Sequence, residues 1–233
     1  MKLFNFFVLV SIAVLIASCN KSKDEGSGTG DAIIVAKKSG TNTVYGVSLY
    51  AYSFSPFQSV KATSSADATK TYTLKENQGY KTNFAYEAPD AEFTTTKPVA
   101  STYNFSAVFE NGVTDEFTDE LTASVLAVPV LDVPKYDATT TELTATWASV
   151  TDADSYAINI MDGSTMVFGS LELANTIKSY TLSSTSSGWI TGVKPVVGKT
   201  YTLRLNAYLY EPNGNTYNMQ AVSMAEQQIT WGK

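Results

Sequence analysis

Short runs in which apolar and polar residues alternate dominate this chain of 233 residues after its first thirty. In YTLRLNAYL every second residue from Tyr201 to Leu209 is apolar, and ELTATW and YAINI within residues 142–160 follow the same rule. Because side chains alternate between the two faces of a strand, such runs predict half-buried strands. Thr, Tyr and Val are abundant and no stretch after Cys19 has a clear helical period, so the sequence predicts an all-β fold.

The segment from Pro129 to Trp231 carries a more specific pattern. It contains PVLDVPKYDATTTELTATWASVTDADSYAINI, followed by GVKPVVGKTYTLRLNAY. This pattern resembles a fibronectin type III domain, in which a tryptophan ends strand B, a tyrosine begins strand C and a tyrosine corner opens strand F. The resemblance places Trp147, Tyr156 and Tyr201 at those three core positions. It implies a seven-strand antiparallel sandwich that serves spacing or binding.

The first half of the chain echoes this second half. KPVASTYNFSAVFENG at 97–112 and KPVVGKTYTLRLNAYLYEPNG at 194–214 share Lys-Pro-Val, Thr-Tyr, an alternating run and an Asn-Gly turn that is typical of hairpins. We therefore predict an immunoglobulin-like β-sandwich over residues 32–128, ahead of the fibronectin type III-like β-sandwich over 129–233. Two prolines in LAVPVLDVP predict a short, stiff joint between these tandem sandwiches.

The N-terminal residues MKLFNFFVLVSIAVLIAS carry one positive charge and an apolar stretch shorter than the ~20 residues that a membrane-spanning helix needs. This pattern predicts a signal peptide over residues 1–18. Its end, IASC, resembles the bacterial lipobox. This resemblance implies cleavage between Ser18 and Cys19 and the attachment of lipid chains such as palmitate to Cys19. A single cysteine in an exported chain calls for such an explanation. An ordinary signal peptide followed by an incidental cysteine is the alternative.

Residues 19–31 have the composition of a flexible tether, rich in Lys, Ser, Gly and acidic side chains. The glycines of GSGTG are interpreted as part of this linker. Lys23, Asp24 and Glu25 resemble the export signal of Bacteroidota-type lipoproteins, which are displayed on the outer face of the outer membrane. The resemblance implies a lipid-anchored protein of the outer membrane, exposed at the cell surface, with the periplasmic face as the alternative.

The chain lacks the residues that most catalytic and metal sites use. It has no histidine, and its one cysteine is assigned to the lipid, so Ser-His-Asp and Cys-His sets and the usual zinc ligand sets are excluded. A net charge of −6 and a single arginine, Arg204, exclude a nucleic-acid partner, because phosphate binding needs clustered basic residues. We predict no catalytic residue, no metal site and no cofactor.

The acidic residues carry no convincing motif. The four acids of residues 115–120 lie beside a predicted hairpin, where solvated charge is the ordinary explanation: Asp115, Glu116, Asp119 and Glu120. Asp152 and Asp154 are interpreted as turn residues, because a Ca²⁺ loop of the EF-hand type would need further ligands and a glycine at fixed spacing.

Aromatic residues at positions where the alternation places polar ones are the candidate ligand contacts. Tyr208 and Tyr210 lie opposite the core parity of their strand, and Tyr50 and Tyr52 share one face of LYAYSF. Trp189 lies in SSTSSGWIT, an insertion that the fibronectin type III family does not require, and we expect its indole to project. The alternative is that Trp189 folds back to plug the end of the sandwich. Exposed aromatic rings stack on sugars or anchor protein interfaces. The alternative is that the tyrosines occupy solvated strand faces or the core.

These features predict a membrane-anchored lipoprotein that is not an enzyme and acts as an interaction, adhesion or scaffold module for an unknown protein or glycan. A glycan-binding lipoprotein of a polysaccharide-uptake system is the second hypothesis, and it requires the aromatic residues to converge on one patch. A fimbrial or pilus-type subunit is the third.

Overall fold

The computed structural model describes residues 26–77, 79–212 and 218–233. The predicted signal peptide, Cys19 and the acidic export signal at 23–25 lie outside these residues. Within them all regular structure is β-strand, apart from one 3₁₀ turn at Asp90–Glu92. The predicted all-β fold class is therefore confirmed. None of the helical structure described here is long and apolar enough to cross a membrane.

The first sandwich contains seven strands. They are β1 (Gly28–Ser39), β2 (Asn42–Ser53), β3 (Phe57–Ser64), β4 (Asp67–Asn77), β5 (Tyr80–Tyr86), β6 (Ser101–Phe109) and β7 (Thr114–Leu121). Hydrogen bonding orders them β1-β2-β5-β4 on one side and β3-β6-β7 on the other, with β4 also paired to β3. Lettered along the chain, this is the ABED and CFG arrangement of an immunoglobulin-like sandwich.

The core of the first sandwich is aromatic. Phe57 contacts both Phe84 and Phe109, with ring centroids 5.5 and 5.0 Å apart, and Phe105 stacks on Phe117 at 5.3 Å. The alternation of Tyr103, Phe105, Ala107 and Phe109 along β6 points all four side chains inward, where each is at most 4% exposed.

The second sandwich has a three-stranded and a four-stranded sheet. Its strands are β8 (Lys135–Asp137), β9 (Glu142–Thr146), β10 (Ser155–Asp162), β11 (Thr165–Gly169), β12 (Leu173–Ala174), β13 (Ser179–Ser183), β14 (Thr200–Tyr210) and β15 (Met219–Thr230). The sheets run β13-β9-β8 and β11-β10-β14-β15, and the short β12 pairs with β10. These are the seven main strands that the fibronectin type III resemblance implies.

The structure places Trp147, Tyr156 and Tyr201 in the core of the second sandwich, at 4%, 0% and 4% exposure. The Trp147 and Tyr156 rings lie 5.6 Å apart, and the Tyr156 hydroxyl accepts a hydrogen bond from the Val150 amide at 2.8 Å. The Tyr201 hydroxyl accepts one from the Val196 amide at 3.0 Å, which is the backbone bond of a tyrosine corner. Each hydroxyl therefore has a partner where burial would otherwise leave it unpaired.

The two sandwiches share one sheet. Residues 34–37 of β1 pair in parallel with residues 221–224 of β15, from Ile34 opposite Ala221 to Lys37 opposite Met224. This pairing joins the four-stranded sheet of the second sandwich to the strands of the first in a twelve-stranded sheet. Backbone hydrogen bonds therefore join the two sandwiches side by side. The expectation of tandem sandwiches on a short, stiff joint did not include this pairing.

The connecting segment is also held by β15. The Gln220 side chain donates to the Thr122 carbonyl oxygen and accepts from the Thr122 amide, both at 3.1 Å. The Ser223 hydroxyl donates to the Ala127 carbonyl oxygen at 2.8 Å, and Leu126 is buried in the second core. Side-chain bonds to β15 and burial of Leu126 hold the connection, in addition to the prolines that the sequence singles out.

The predicted tether boundary at residue 31 is wrong. Strand β1 begins at Gly28, and the glycine-rich segment GSGTG packs on aromatic rings of the first core. A Cβ added at Gly26, Gly28 or Gly30 would lie 2.2 to 2.5 Å from a phenylalanine carbon. These glycines are required because only a residue without a side chain lets the backbone approach the rings so closely.

Candidate binding groove

A groove of about 360 Å³ lies on one face of the shared sheet, at the line where the two sandwiches meet. We call it the junction groove. Ile33 and Val35 of β1 and Val222 and Met224 of β15 line it, because every second side chain of these paired strands points to the same face. This apolar lining exists only where β1 and β15 lie side by side, so neither sandwich forms the groove alone.

Each sandwich contributes a tyrosine to the groove. Tyr50 comes from β2, which pairs with β1, and Tyr208 comes from β14, which pairs with β15. Burial raises the pKa of the Tyr208 hydroxyl to about 12 and also raises that of Tyr50. A tyrosine hydroxyl is ordinarily protonated at neutral pH, and burial strengthens that preference, so both hydroxyls can donate as well as accept hydrogen bonds.

Polar and charged side chains complete the groove lining. The Lys37 ammonium group lies 3.9 Å above the centre of the Phe93 ring and pairs with Asp90 at 2.5 Å. On the other side, Arg204 pairs with Glu226 at 2.7 Å. These ion pairs are solvent-exposed and contribute little to stability, and they leave Lys37 and Arg204 as the basic side chains that line the groove.

An amide pair from the second sandwich adds hydrogen-bonding groups. The Asn206 side-chain amide donates to the side-chain oxygen Oδ1 of Asn159 at 2.6 Å, which fixes the orientation of both side chains in the groove lining. Flat tyrosine rings, an apolar base and a few oriented polar groups are the usual composition of a small-ligand site.

The structure brings two of the five predicted contact residues into the groove, and two more lie beside them. Tyr52 is 39% exposed, and its ring stacks on that of Tyr50 with centroids 6.3 Å apart. Tyr210 is half-buried on β14, two residues after Tyr208, and its hydroxyl donates to Glu172 at 2.9 Å. The four tyrosines therefore form a group that spans both sandwiches.

Trp189 does not join this group, and the expectation of a projecting indole is wrong. Its ring makes edge contacts with Phe168 at 5.0 Å and Trp231 at 5.5 Å, between centroids. Its indole N–H donates to the Ser183 carbonyl oxygen at 2.8 Å. The polar insertion folds back because packing of the large indole ring and the hydrogen bond of its N–H stabilise this arrangement. A projecting indole would expose the apolar ring to water.

Two of the four acids interpreted as solvated are structural. Asp115 accepts a hydrogen bond from the Gly28 amide at 2.9 Å, and Asp119 accepts one from the Ala32 amide at 2.8 Å. Both amides lie in the part of β1 that precedes its pairing with β15. The acids of β7 therefore satisfy donors of β1 that have no strand partner on that side. Asp119 also belongs to the one group of carboxylates, in the part of the chain described, that could hold a metal ion.

Comparisons with known proteins add little. No model of a protein family matches this chain, and no curated protein matches it. Among solved structures, it resembles a two-domain fibronectin type III segment of chicken tenascin, with 14% identity over 87% of this chain and 99% of that chain and a TM-score of 0.29. It also resembles fibronectin(III)-like modules of CbhA from Clostridium thermocellum, with 14% identity over 88% and 93% of the two chains and a TM-score of 0.25. The strand order described above defines the fold.

Proposed function

We propose that this chain is a membrane-anchored, non-catalytic binding protein that holds its ligand in the junction groove. The observation that carries the proposal is the position of Tyr50 and Tyr208, one from each sandwich, in the lining of a single cavity. Parallel backbone pairing between β1 and β15 keeps the two tyrosines in fixed relative positions. A binding surface ordered before the ligand arrives avoids part of the entropy cost of association.

A glycan is the ligand class that the groove favours. Tyrosine rings offer flat apolar surfaces to sugar rings, while Arg204 offers donors and Glu87 offers acceptors for hydroxyl groups. The hypothesis of a glycan-binding lipoprotein requires convergent aromatic residues, and the position of Tyr50 and Tyr208 in one cavity supports it. Within the described residues, a fimbrial role has less support, because each sandwich has its own seven strands and β15 is paired on both sides at residues 221–224.

The first prediction concerns the groove. We expect the Tyr208→Ala variant of the chain from residue 20 onward to bind its ligand about tenfold more weakly or worse, because a central aromatic contact is lost. Glycan arrays followed by calorimetry with the best glycan measure this effect. A fragment that begins at residue 31 is unsuitable, because it lacks the first residues of β1.

The matched control is Tyr80→Ala, which removes a tyrosine that is 64% exposed on β5 and does not line the groove. We expect this variant to bind like the parent. Equal affinity of the Tyr208→Ala variant and the parent would contradict the groove as the binding site. Binding to immobilised protein partners but to no glycan on the array would support the wider proposal and reject the glycan.

The second prediction concerns anchorage. Cys19→Ala is expected to release the protein from the membrane fraction or to leave its precursor uncut, because the lipid is its proposed means of attachment. Membrane fractionation and the mass of the mature chain measure both outcomes. Normal processing with unchanged membrane retention would contradict the lipobox.

Protease added to intact cells then tests surface display, since full protection would place the sandwiches on the periplasmic face.

A further inference from the structure

Three carboxylates from distant parts of the sequence meet beside the junction. Asp31 lies on β1, Asp119 lies on β7 and Glu211 follows the end of β14. One oxygen atom from each side chain lies within 4.8 Å of the other two. Two of these residues belong to the first sandwich and one to the second. We call them the carboxylate cluster.

Two members of the cluster are buried, Glu211 is half-buried, and the three carboxylates are incompletely paired. Asp31 is 2% exposed and Asp119 is 7% exposed. Asp31 Oδ2 accepts from the Met219 amide at 3.2 Å, and Asp119 Oδ2 accepts from the Ala32 amide at 2.8 Å. Asp31 Oδ1 and Glu211 Oε1 are buried without a hydrogen-bond partner among the described residues. Unpaired buried carboxylate oxygens are uncommon in native structures and often mark an unseen ion or water.

Among the residues that the structure describes, the cluster also lacks an ion pair with a positively charged side chain. None of the ion pairs between described residues includes one of its members. Burial raises the pKa of Asp31 to about 7, and the charges of Asp119 and Glu211 raise it as well. The pKa values of Asp119 and Glu211 are raised for the same main reason. Three carboxylates in this position must take up either protons or a cation.

We propose that Asp31, Asp119 and Glu211 bind a Ca²⁺ ion that ties the two sandwiches together. All donors are carboxylate oxygens, which Ca²⁺ and Mg²⁺ prefer and which suit Zn²⁺ less well in the absence of histidine and thiolate. Three ligand atoms within 4.8 Å of one another can surround one Ca²⁺ ion, whose bonds to oxygen measure about 2.3 to 2.6 Å. Mg²⁺ is less well suited, because it requires near-ideal octahedral geometry at about 2.0 to 2.1 Å and gives up its water ligands reluctantly.

The ion has a structural consequence at the groove. Asp31 is the register partner of Tyr50, so an ion on Asp31 lies next to a residue that lines the groove. Glu211 follows Tyr210 directly, which places the other end of the site beside the tyrosine group of the second sandwich. Calcium would therefore lock the relative position of the two sandwiches on which the groove depends. The proposal itself does not require the groove to bind anything.

The proposal is tested by thermal unfolding of the chain from residue 20 onward. The protein is first treated with a chelator and is then measured at pH 7.5. Addition of CaCl₂ to about 100 times its Kd is expected to raise Tm by about 5 to 10 °C, since the ion binds only the folded chain. An equal concentration of MgCl₂ should give a much smaller shift. Calorimetry should show one Ca²⁺ per chain.

The test variant is Asp31→Asn, which removes one charge and keeps the shape of the side chain. We expect it to lose the calcium-dependent shift in Tm, while without calcium it unfolds no earlier than the chelated parent because the repulsion between carboxylates is reduced. Asp152→Asn is the matched control, since Asp152 is an exposed turn residue with φ of 65°, a conformation that asparagine adopts readily. This control should keep the full shift.

Three results would overturn the proposal. The first is a parent protein without any shift in Tm or calorimetric heat from CaCl₂, which would mean that the cluster holds protons instead. The second is an equal shift with MgCl₂, which would mean that the cluster does not select Ca²⁺. The third is a full calcium shift in Asp31→Asn, which would place the ion elsewhere. If Asp31→Asn does not fold, Glu211→Gln takes its place, because Glu211 lies outside the strands.

Discussion

Replacement of Trp147 by alanine is expected to lower the free energy of unfolding by about 3 to 5 kcal/mol, the cost of truncating a buried tryptophan. Trp147 is 4% exposed, and its ring packs against Tyr156 in the core of the second sandwich. Its truncation removes apolar contacts and leaves a cavity that the surrounding strands can fill only partly. Chemical denaturation, followed by circular dichroism, measures the change.

Two milder substitutions provide the comparison. Trp147→Phe should cost less than the alanine variant, because a ring still fills part of the site and the indole N–H has no partner among the described residues to lose. Tyr201→Phe should cost about 1 kcal/mol, since it removes only the acceptor for the Val196 amide. A negligible loss for Trp147→Ala would contradict the position of Trp147 in the core.

The second sandwich was predictable because its signal is local. The alternation from Tyr201 to Leu209 determines which face of β14 is buried. The three aromatic core positions are recognisable from the residues that flank them in the sequence. In the first sandwich the same reasoning found β6 from a single echoed segment. Both inferences depend on the period of the side chains along one strand, which a sequence displays directly.

The junction was not predictable, because it depends on contacts between residues almost two hundred positions apart. No local pattern indicates that Ile34 pairs with Ala221 or that Asp31 and Glu211 meet. The composition of GSGTG is typical of a flexible linker, and yet this segment packs at the edge of the first core. The linker prediction was wrong for that reason. The one available signal was Asp31 itself, a lone acid directly ahead of the apolar run AIIVA.

The glycine-rich start of β1 provides the other large expected effect. Gly30→Val is expected to cost about 3 kcal/mol, at the upper end of the range for overpacked cores. A Cβ at this position would lie 2.5 Å from the Phe105 ring, which is 1% exposed and stacked on Phe117, so the ring cannot move aside. A loss of stability would distinguish a packed strand from a flexible tether. Valine favours strands, and in a flexible tether it would cost almost nothing.

The neighbouring position separates the effect of the clash from any general effect of valine near the N-terminus. Thr29 lies on the same strand between Gly28 and Gly30, and its side chain is exposed because alternate residues of a strand face opposite ways. Thr29→Val should therefore change the free energy of unfolding by less than about 0.5 kcal/mol. Equal, small effects at both positions would mean that residues 28–31 do not pack on the first core. A large loss confined to Gly30→Val would mean that the fold requires glycine here, since only a residue without a side chain lets β1 lie directly against Phe105.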